Sequence, residues 1–547
     1  MATINPPGSG AGAAEGGEPA NARIVLGSLI LVAAVANLNL SVANVALPAI
    51  GQSFDSSQTM LDLIAVGYSL GLAASVLWFG ALGDRYGRKQ MIVGGMLLSL
   101  PASIVAAFAP TDTVLFAARV AGGLSAGMAY PTTLALITAL WSGPARTRSI
   151  ALWSALGGGI AALGPLVSGL LLQNFEWGAV FLVTVPLALL ALFLAIRNVP
   201  AHVHEGTEPV DNVGGVLSAV MIGALVVGLN FITVPSMQTL AFGLFVVAAL
   251  GVVLFVLRQR QAPNPLFDLK VAARPTFWVA ALAGIIIFGS LMGIAFINQQ
   301  YLQNVQGYSS LQAGAAILPA VVFMVMVAPR SAKLVQQMGS RATLLIGQSV
   351  LALAFVGMFL FWADGTPYWL VAIPLALMGI GVGLAGTPSS NSLTGSVPVR
   401  RVGMASGTAD LQRDLGGALM TSIFGVFLTA GYASAMGTAV SETGQDVTAT
   451  TQSMLQLSYA SAADMAAQYP QYSNEILTAA KSSFLAGDDL TYIAGFVAVL
   501  IGLSVTFLLF PRKDREAQLH AHYHAEDEGA ETPEPPEHSP APAPQAA

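Results

Sequence analysis

The chain has 547 residues, of which 55% are hydrophobic and only 9% charged, with a formal net charge of −6. Soluble domains carry roughly 25% charged residues, so this composition indicates a protein with many membrane spans and excludes an ordinary soluble one. The absence of cysteine excludes disulfides, thiolate metal sites and cysteine nucleophiles. No basic pattern interleaved with aromatic residues points to nucleic acid as a partner.

The apolar stretches of the sequence are long enough to cross a membrane. A spanning helix needs about 20 apolar residues, and we predict fourteen of them, near residues 24–47, 58–80, 91–109, 114–140, 150–173, 178–196, 213–234, 239–257, 277–301, 311–328, 343–362, 368–390, 402–430 and 490–510. Residues 1–22 and 512–547 are predicted to be disordered cytoplasmic segments. No cleavable signal is expected, because the first apolar run is too long for a signal peptide.

The lysine and arginine residues predict the orientation of the chain. With fourteen spans, these residues fall in loops on one face, apart from Lys481 in an outer loop and Arg119 and Arg413 within spans. Positively charged loops face the cytoplasm. We therefore expect a multi-pass protein of the cell membrane with both termini in the cytoplasm.

One turn between the second and third predicted spans, residues 80–89 (GALGDRYGRK), combines glycines with one acid and three bases. Gly80 and Gly83 allow the end of one helix to approach a neighbour closely, and Gly87 permits the positive φ that a tight reversal needs. Asp84 is placed to accept hydrogen bonds from the N-terminus of another helix or from an arginine.

This turn resembles the loop between the second and third helices of major facilitator superfamily transporters. In that family the loop acts as a conformational latch, so the resemblance implies this role for Gly80, Asp84, Arg85, Gly87 and Arg88. It also implies an all-helical transporter that opens a central cavity to each side of the membrane in turn.

A second copy of the turn lies at residues 332–341 (AKLVQQMGSR), in which Gly339 matches Gly87 and Gln336 replaces Asp84. The repeat predicts two related halves of six helices each, with two inserted helices between them and the substrate site near the midplane. The fold class is then an all-α polytopic membrane protein with the major facilitator fold and 14 transmembrane helices. The predicted segments are 23–200 for the N-terminal half, 201–275 for the inserted pair and 276–511 for the C-terminal half.

The C-terminal half includes an outer loop at residues 431–489, which is long for a connection in a membrane protein. Its stretches near 452–467 and 473–486 contain Ala, Met and Leu with polar spacing, and this pattern predicts a helical hairpin over the outer face. The hairpin either gates the exit of substrate or serves as an inert cover.

Residues 38–48 (LNLSVANVALP) in the first span resemble the first-helix signature of fourteen-span drug:proton antiporters. Asn39 stands where that family usually has an aspartate with a part in cation recognition or proton coupling. Since asparagine does not titrate, Asn39 either hydrogen-bonds a substrate or joins neighbouring helices. Asn39 and Asn44, together with Tyr68 of the second span, are candidates to line the substrate cavity.

Residues 115–123 in the fourth span resemble the arginine motif of the same family, which implies a part in proton transfer for Arg119. Asp112, near the outer end of that helix, is a possible partner. Otherwise Arg119 would anchor an anionic substrate or donate hydrogen bonds to backbone carbonyls. Asp62, near the outer end of the second span, is either a helix-start acid that complements the dipole or a proton site.

Residues 163–169 (LGPLVSG) in the fifth span resemble the end of the antiporter motif, which implies a helix bend at Gly164 and Pro165. The start of the sixth helix also resembles the family pattern, with Gly178 where arginine is usual. These features indicate a bend beside the cavity, but antiport does not follow from them alone.

The thirteenth predicted span carries two acids and one base, Asp410, Arg413 and Asp414. Arg413 lies about 18 Å along a straight helix from Arg401, close to the middle of the bilayer. Asp410 and Arg413 can pair at i, i+3, and Asp414 shares a face with Asp410, so one carboxylate is left without a cation. Desolvation would favour its protonated form, as a coupling site requires. Alternatively, the three residues form an ion network that only locks the helix.

The branch that these motifs resemble implies export of amphipathic organic compounds (multidrug efflux) in exchange for protons, within a lipid bilayer. Asn39 and Arg119 leave open an uncoupled or differently coupled exporter of lipids or organic anions. A multi-span membrane enzyme is disfavoured, because all six histidines fall outside the spans. No cofactor and no metal site is expected.

Overall fold

The computed structural model describes residues 19, 21–56, 58–201, 203, 209–232, 237–398, 401–442 and 447–529. Every regular element within these ranges is helical, and a helix satisfies its backbone hydrogen bonds internally, as the interior of a membrane requires. The first ten helices are α1 (Ala22–Ser41), α2 (Ala43–Phe54), α3 (Gln58–Tyr86), α4 (Arg88–Ala107), α5 (Asp112–Leu140), α6 (Gly143–Leu171), α7 (Ala179–Leu182), α8 (Thr184–Asn198), α9 (Asn212–Phe231) and α10 (Gln238–Gln261).

Ten further helices complete the described chain. They are α11 (Leu269–Ala272), α12 (Pro275–Gln300), α13 (Ser310–Ala315), α14 (Leu318–Phe361), α15 (Tyr368–Gly395), α16 (Val402–Glu442), α17 (Ala449–Leu457), α18 (Tyr459–Gln468), α19 (Ser473–Leu509) and α20 (Lys513–Gly529). A π-helical turn, Tyr301–Val305, extends α12, and a short 3₁₀-helix, Pro470–Tyr472, precedes α19.

The helices α1–α8, here called the N-terminal group, pack closely through small residues. A Cβ atom on Gly123 of α5 would lie 2.1 Å from the carbonyl oxygen of Tyr68 in α3, and one on Gly95 of α4 would lie 2.6 Å from that of Ser125. In lipid, helices associate through such close backbone contacts rather than through the hydrophobic effect. The glycines therefore hold α3, α4 and α5 together.

The helices α12–α16 and α19, here called the C-terminal group, form a second bundle of the same kind. A Cβ on Gly416 of α16 would lie 2.4 Å from the carbonyl oxygen of Ile285 in α12. Helix α9, which belongs to the predicted inserted pair, contacts both groups, since Trp78 Nε1 donates to Asn212 Oδ1 at 3.1 Å and the Ser422 hydroxyl donates to a carbonyl of α9. Its neighbour α10 exposes large apolar side chains, as expected at a lipid-facing surface.

The long helix α14 reverses direction at Gly339, whose φ of 84° and ψ of 168° are not helical. Its contacts with α15 run in the same direction before Gly339 and in the opposite direction after it: Ala320 with Gly379, Met324 with Gly383, Gly347 with Ala385 and Gly357 with Pro374. The tight reversal predicted for the second charged turn is therefore present.

Within the described ranges, twelve helical segments are long and apolar enough to cross a membrane. The chain is thus a multi-span integral membrane protein, but the predicted number of fourteen spans is not confirmed. Two features account for the difference. The segment Leu311–Phe361 counts once although it contains the reversal at Gly339, and α6, which covers the predicted fifth span, is not among the twelve.

The connection between α16 and α19 is shorter than the outer loop predicted at 431–489. Helix α16 continues to Glu442, and α19 already begins at Ser473. The added turns of α16 are stabilised by Tyr432, whose hydroxyl donates to the carbonyl oxygen of Leu455 at 3.0 Å. The apolar pattern does not predict this extension, because the pattern ends at residue 430 whereas the helix continues with more polar residues.

The helical hairpin predicted over this end is present in a different form. The stretch near 452–467 forms two helices, α17 and α18, which are separated at Ser458. The Ser458 side chain accepts from the Ser461 N–H at 3.1 Å and so caps α18. The stretch at 473–486 is not a separate helix, since it forms the first turns of α19.

The prediction of a disordered tail is wrong for its first part. Residues Lys513–Gly529 form α20, in which Glu516 and Tyr523 are buried against the bundle. These two side chains lie two helical turns apart on one face, a short amphipathic pattern that the polar composition concealed. Residues 1–18 and 530–547 lie outside the described structure.

The end of the bundle that carries Asp84, Arg258 and Gly339 is here called the basic end. There, Asp211 accepts hydrogen bonds from Arg258 at 2.9 and 3.0 Å, from Gln259 at 3.1 Å and from a backbone N–H at 3.1 Å. Burial alone would raise the pKa of Asp211, but these hydrogen bonds outweigh burial and lower the pKa below its usual value. The network joins the start of α9 to the end of α10.

We expect Asp211→Asn to lower the melting temperature of the detergent-purified protein, because charged hydrogen bonds of about 2 kcal/mol are lost. The pKa of Asp211 is lowered from 3.8 by folding. Its stabilisation is therefore present above that value and is lost as the pH falls through the lowered pKa. The difference in melting temperature from the native chain should be constant between about pH 5 and 8 and shrink below about pH 4. Equal melting temperatures at pH 7 would contradict this account.

Candidate functional site

The first charged turn joins the two groups of helices through Asp84. The Arg88 Nε and Nη2 atoms donate to Asp84 Oδ1 at 3.1 and 2.8 Å, and the guanidinium also donates to the Val203 carbonyl oxygen at 3.1 Å. The other carboxylate oxygen of Asp84 accepts from the Gly403 N–H at 2.8 Å, in the first turn of α16. Both kinds of donor predicted for Asp84, an arginine and a helix N-terminus, are present.

Glycines make this contact possible. A Cβ on Gly80 would lie 2.7 Å from the Gly403 carbonyl oxygen, and one on Gly403 would lie 2.4 Å from that of Gly80. Gly87 has the predicted positive φ, 113°, directly before α4 begins. Arg85 is half-buried, with its guanidinium carbon 5.6 Å from the Tyr86 ring centre. The approach of α3 to α16 therefore depends on two residues without side chains.

Near the middle of the bundle, Arg413 of α16 extends into an aromatic site formed by both groups. Its guanidinium carbon lies 4.6 Å from the ring centres of both Trp153 and Phe288. Its nitrogens donate to the Tyr130 hydroxyl and, at 3.1 Å, to the Ser154 hydroxyl. Such cation–π contacts stabilise a desolvated cation. Arg413 thus connects α16 to α5, α6 and α12.

The two acids predicted beside Arg413 are close to it but weakly satisfied. Asp410 is 0% exposed, and its Oδ1 atom lies 3.8 Å from Arg413 Nη1, which confirms the predicted ion pair at a distance too long for a hydrogen bond. Within the described chain, both carboxylate oxygens of Asp410 and the Oδ2 atom of Asp414 are buried and receive no hydrogen bond. The cluster therefore holds more carboxylate than its one cation satisfies.

A cavity of about 10 Å³, roughly the room that one water molecule needs, lies next to this cluster, at Ser154. Its walls come from both groups: Ala151, Ser154 and Ala155 of α6, and Met324, Ala328, Val382, Gly383 and Thr387 of α14 and α15. Pockets for drug-sized ligands usually measure at least roughly 300 Å³. This cavity would therefore take such a ligand only after the two groups moved apart.

Arg119 is held inside the N-terminal group. Its guanidinium donates to the carbonyl oxygens of Asn39 at 2.7 Å and of Ile64 and Leu40 at 3.5 Å. It also lies 4.8 Å from the Tyr68 ring centre. Of the roles predicted for Arg119, the structure contains the hydrogen bonds to backbone carbonyls. These donors are therefore committed to α1 and α3.

The side chain of Asn39 joins three helices. Its Oδ1 accepts from Thr184 of α8 at 3.1 Å and from Ser103 of α4 at 3.4 Å, and its Nδ2 donates within α1 to the Val35 carbonyl oxygen. Tyr68 is also buried, and its hydroxyl donates to a carbonyl of α1 at 2.9 Å. Both side chains therefore have partners inside the N-terminal group, and their lining of a substrate cavity stays a prediction.

Three further candidates have a different outcome. Asp112, the predicted partner of Arg119, instead accepts from the Ser56 hydroxyl at 2.9 Å. Asp62 lies in α3 and Asn44 in α2, but the side chains of both lie outside the described part of the structure. Their predicted roles as proton site and cavity residue stay predictions.

The glycines of the fifth and sixth predicted spans lie at close helix contacts. A Cβ on Gly164 would lie 1.9 Å from Ser41 Oγ of α1, and one on Gly178 would lie 2.2 Å from the Ala107 carbonyl oxygen. The second contact explains why no arginine stands at Gly178, because no space is left for its side chain. Helix α6 is continuous across Gly164 and Pro165, so the predicted bend stays a prediction.

Sequence reasoning missed the residues that surround Arg413 and the partner of Asp84. Tyr130, Trp153 and Phe288 are aromatic residues in apolar helices, and nothing in their local pattern distinguishes them from other core residues. Gly403 follows Arg401 at the start of a predicted span. That position was a detectable signal, since helix starts close to a basic loop offer free N–H groups to an acid.

We expect Gly80→Ala to weaken the contact between the two groups, because the new methyl would overlap the Gly403 carbonyl oxygen. Overpacking of this kind typically costs about 1–3 kcal/mol. The matched control is Gly243→Ala in α10, where a Cβ meets no atom within 4 Å. Melting temperatures of both variants in detergent provide the test. The account would be wrong if the two substitutions had equal effects.

Comparison with known proteins agrees with this geometry. The model of the Major Facilitator Superfamily matches residues 29–421. The multidrug efflux pump LfrA of Mycolicibacterium smegmatis is 31% identical over 90% of this chain and 97% of its own length. The multidrug resistance protein Stp of Mycobacterium tuberculosis is 34% identical over 72% of this chain and 73% of its own. The methyl viologen resistance protein SmvA of Salmonella typhimurium is 29% identical over 88% and 97%.

The fold also matches a solved transporter structure. The human organic anion transporter MFSD10 superposes with a TM-score of 0.58 over 88% of this chain and 99% of that one, at 14% sequence identity. A likeness at this identity concerns the fold alone. The two bundles, the charged turns and the family match lead to one conclusion: the chain belongs to the major facilitator superfamily, among relatives that are named as multidrug efflux and resistance proteins.

Proposed function

We propose that this protein exports amphipathic organic compounds in exchange for protons, by alternating access of a central site to the two sides of the membrane. The observation that carries the proposal is the cluster of buried Asp410 with the half-buried Arg413 and Asp414 at the contact between the two groups of helices. The names of the relatives, efflux pumps and drug resistance proteins, support the substrate class.

The chemistry of the cluster suits proton exchange. Two carboxylates share one guanidinium, and Arg413 divides its own contacts between Asp410 and the aromatic rings. A carboxyl group that is desolvated and receives few hydrogen bonds is stable only in its protonated form, whereas water stabilises the ionised form. Opening and closing of the two groups would change the hydration of Asp410 and Asp414, and would so make proton binding depend on conformation.

The second part of the proposal is that the two groups of helices separate at the basic end. Asp84 connects α3 and α4 of one group to α16 of the other through Arg88 and Gly403. This contact keeps the basic end closed, and its release would open that end, in line with the latch role proposed for Gly80, Asp84, Arg85, Gly87 and Arg88. By the positive-inside rule, we propose that the basic end faces the cytoplasm, with both termini there.

The second candidate is an exporter of lipids or organic anions without proton coupling. Asn39 favours it, because an amide does not titrate where the antiporters usually carry an acid. Arg119 no longer supports an anion site, since its donors are bound to backbone carbonyls. We further propose that the protein is not an enzyme, in keeping with its relatives, which are named as efflux and resistance proteins.

The test uses purified protein in liposomes with an imposed pH gradient and a fluorescent cationic dye as substrate. We expect Asp410→Asn or Asp414→Asn to reduce gradient-driven dye flux by at least about tenfold, a loss of about 1.4 kcal/mol in the driven step, while equilibrium dye binding persists. The matched control is Asp364→Asn, since Asp364 is 56% exposed and pairs with Lys481. Gradient-driven flux that is unchanged in both variants would remove the cluster from the mechanism.

A further inference from the structure

The basic end of the C-terminal group contains the second charged turn, residues 332–341. Gly339, with a φ of 84°, precedes a helix just as Gly87, with a φ of 113°, precedes α4 in the first turn. Only the first turn has an acid at this position, because Gln336 stands in the second turn where Asp84 stands in the first. The second turn therefore has the backbone of the first without its carboxylate.

Glu516 of α20 brings a carboxylate to this turn from elsewhere in the chain. Its Oε2 atom accepts from the Ser340 N–H at 3.1 Å, directly after Gly339. The first N–H groups of a helix lack partners within it, and an anion there also complements the helix dipole. Glu516 is only 8% exposed, and burial raises its pKa, an effect that hydrogen bonding to Ser340 partly offsets. Glu516 thus caps the helix that follows the turn.

Helix α20 is docked along one face. Lys513 Nζ donates to the Gln337 carbonyl oxygen at 2.9 Å. The guanidinium carbon of Arg274 lies 4.1 Å from the ring centre of Tyr523. The side chains on the other faces, at 514, 515, 517 and 518, are exposed. The buried and half-buried positions, 516, 519, 520 and 523, recur at helical spacing on one face, so α20 is a packed element of the basic end.

The same face of α20 reaches the N-terminal group. A Cβ on Gly395, at the end of α15, would lie 3.1 Å from Cε1 of His520 and 3.5 Å from Nη2 of Arg146. Arg146 belongs to the first turn of α6. Side chains of α20 and α6 therefore both lie beside the end of α15.

The internal repeat relates this contact to the first turn. There, Asp84 joins the end of α3 to the start of α16, the predicted thirteenth span. The corresponding link in the repeat would join Gln336 to the start of α6, the predicted fifth span. A neutral glutamine brings no charge to such a link. Helix α20 connects the same two places, with Glu516 at the turn and His520 at the start of α6.

We propose that Glu516 supplies the acid that the second charged turn lacks, and that α20 thereby braces the basic ends of the two groups against separation. Glu516 is then a positioning residue, which acts through the start of the helix at Ser340. The significance of the brace for transport rests on the proposed function, but its effect on the separation of the two ends does not.

The absence of cysteine allows a direct test. Spin labels on cysteines introduced at the exposed positions Arg148 of α6 and Lys333 of α14 report the separation of the basic ends in the full-length protein. We expect Glu516→Ala to raise the ratio of separated to closed molecules by about tenfold, as loss of a charged hydrogen bond implies. Glu516→Gln, which keeps an acceptor oxygen but no charge, should have a smaller effect. The matched control, Asp514→Asn, changes an exposed acid of the same helix.

Each outcome of this test has a definite meaning. A distance distribution that is unchanged in both Glu516 variants would overturn the brace, even if their melting temperatures fell, because a merely structural role would lower stability alone. The measurement needs neither drug nor proton gradient. A shifted distribution in a protein without proton-driven flux would therefore refute the proposed function and leave the brace standing.

Discussion

The contact of one carboxylate with two helices determines how the rest of this structure is arranged. Asp84 accepts from Arg88 in its own group and from the Gly403 N–H in the other. A buried carboxylate needs such donors, since water is scarce around it and an unpaired charge is costly there. Separation of α3 from α16 would remove one donor and admit water in its place. In the proposed mechanism, the closed contact and a hydrated, open end are thus alternative ways of supplying hydrogen bonds to Asp84.

Two arginines, the buried Arg119 and the half-buried Arg413, illustrate how differently this protein uses charge. Arg119 donates to backbone carbonyls of α1 and α3 within one group, and those partners move with it. Arg413 instead lies between groups, against Trp153 and Phe288, with an ion pair to Asp410 that is longer than a hydrogen bond. Its contacts are strong enough to hold a desolvated cation. They are also divided among elements that would separate in the proposed alternating access, so we propose that this cluster, rather than Arg119, responds to conformation.

Much of the fold could be predicted from the sequence because its determinants are local. Apolar length predicts the spanning helices, and the glycines at 87 and 339 indicate the two tight turns. The kinds of donor to Asp84, an arginine and a helix N-terminus, are also predictable, because an acid near helix ends has few other partners. What was missed depends on distant parts of the chain. The docking of α20 rests on single residues such as Glu516, and the aromatic site around Arg413 joins four helices that no local pattern relates.

The most direct test of the central claim is to prevent the two groups from separating at the basic end. A Cβ on Gly407 of α16 would lie 3.5 Å from Cα of Leu77 in α3, a spacing suited to a disulfide between cysteines introduced at both positions. The account predicts that oxidation of this pair stops dye export from cells or liposomes and that reduction restores it, while each single cysteine variant transports in both conditions. Full export by the cross-linked protein would contradict the account.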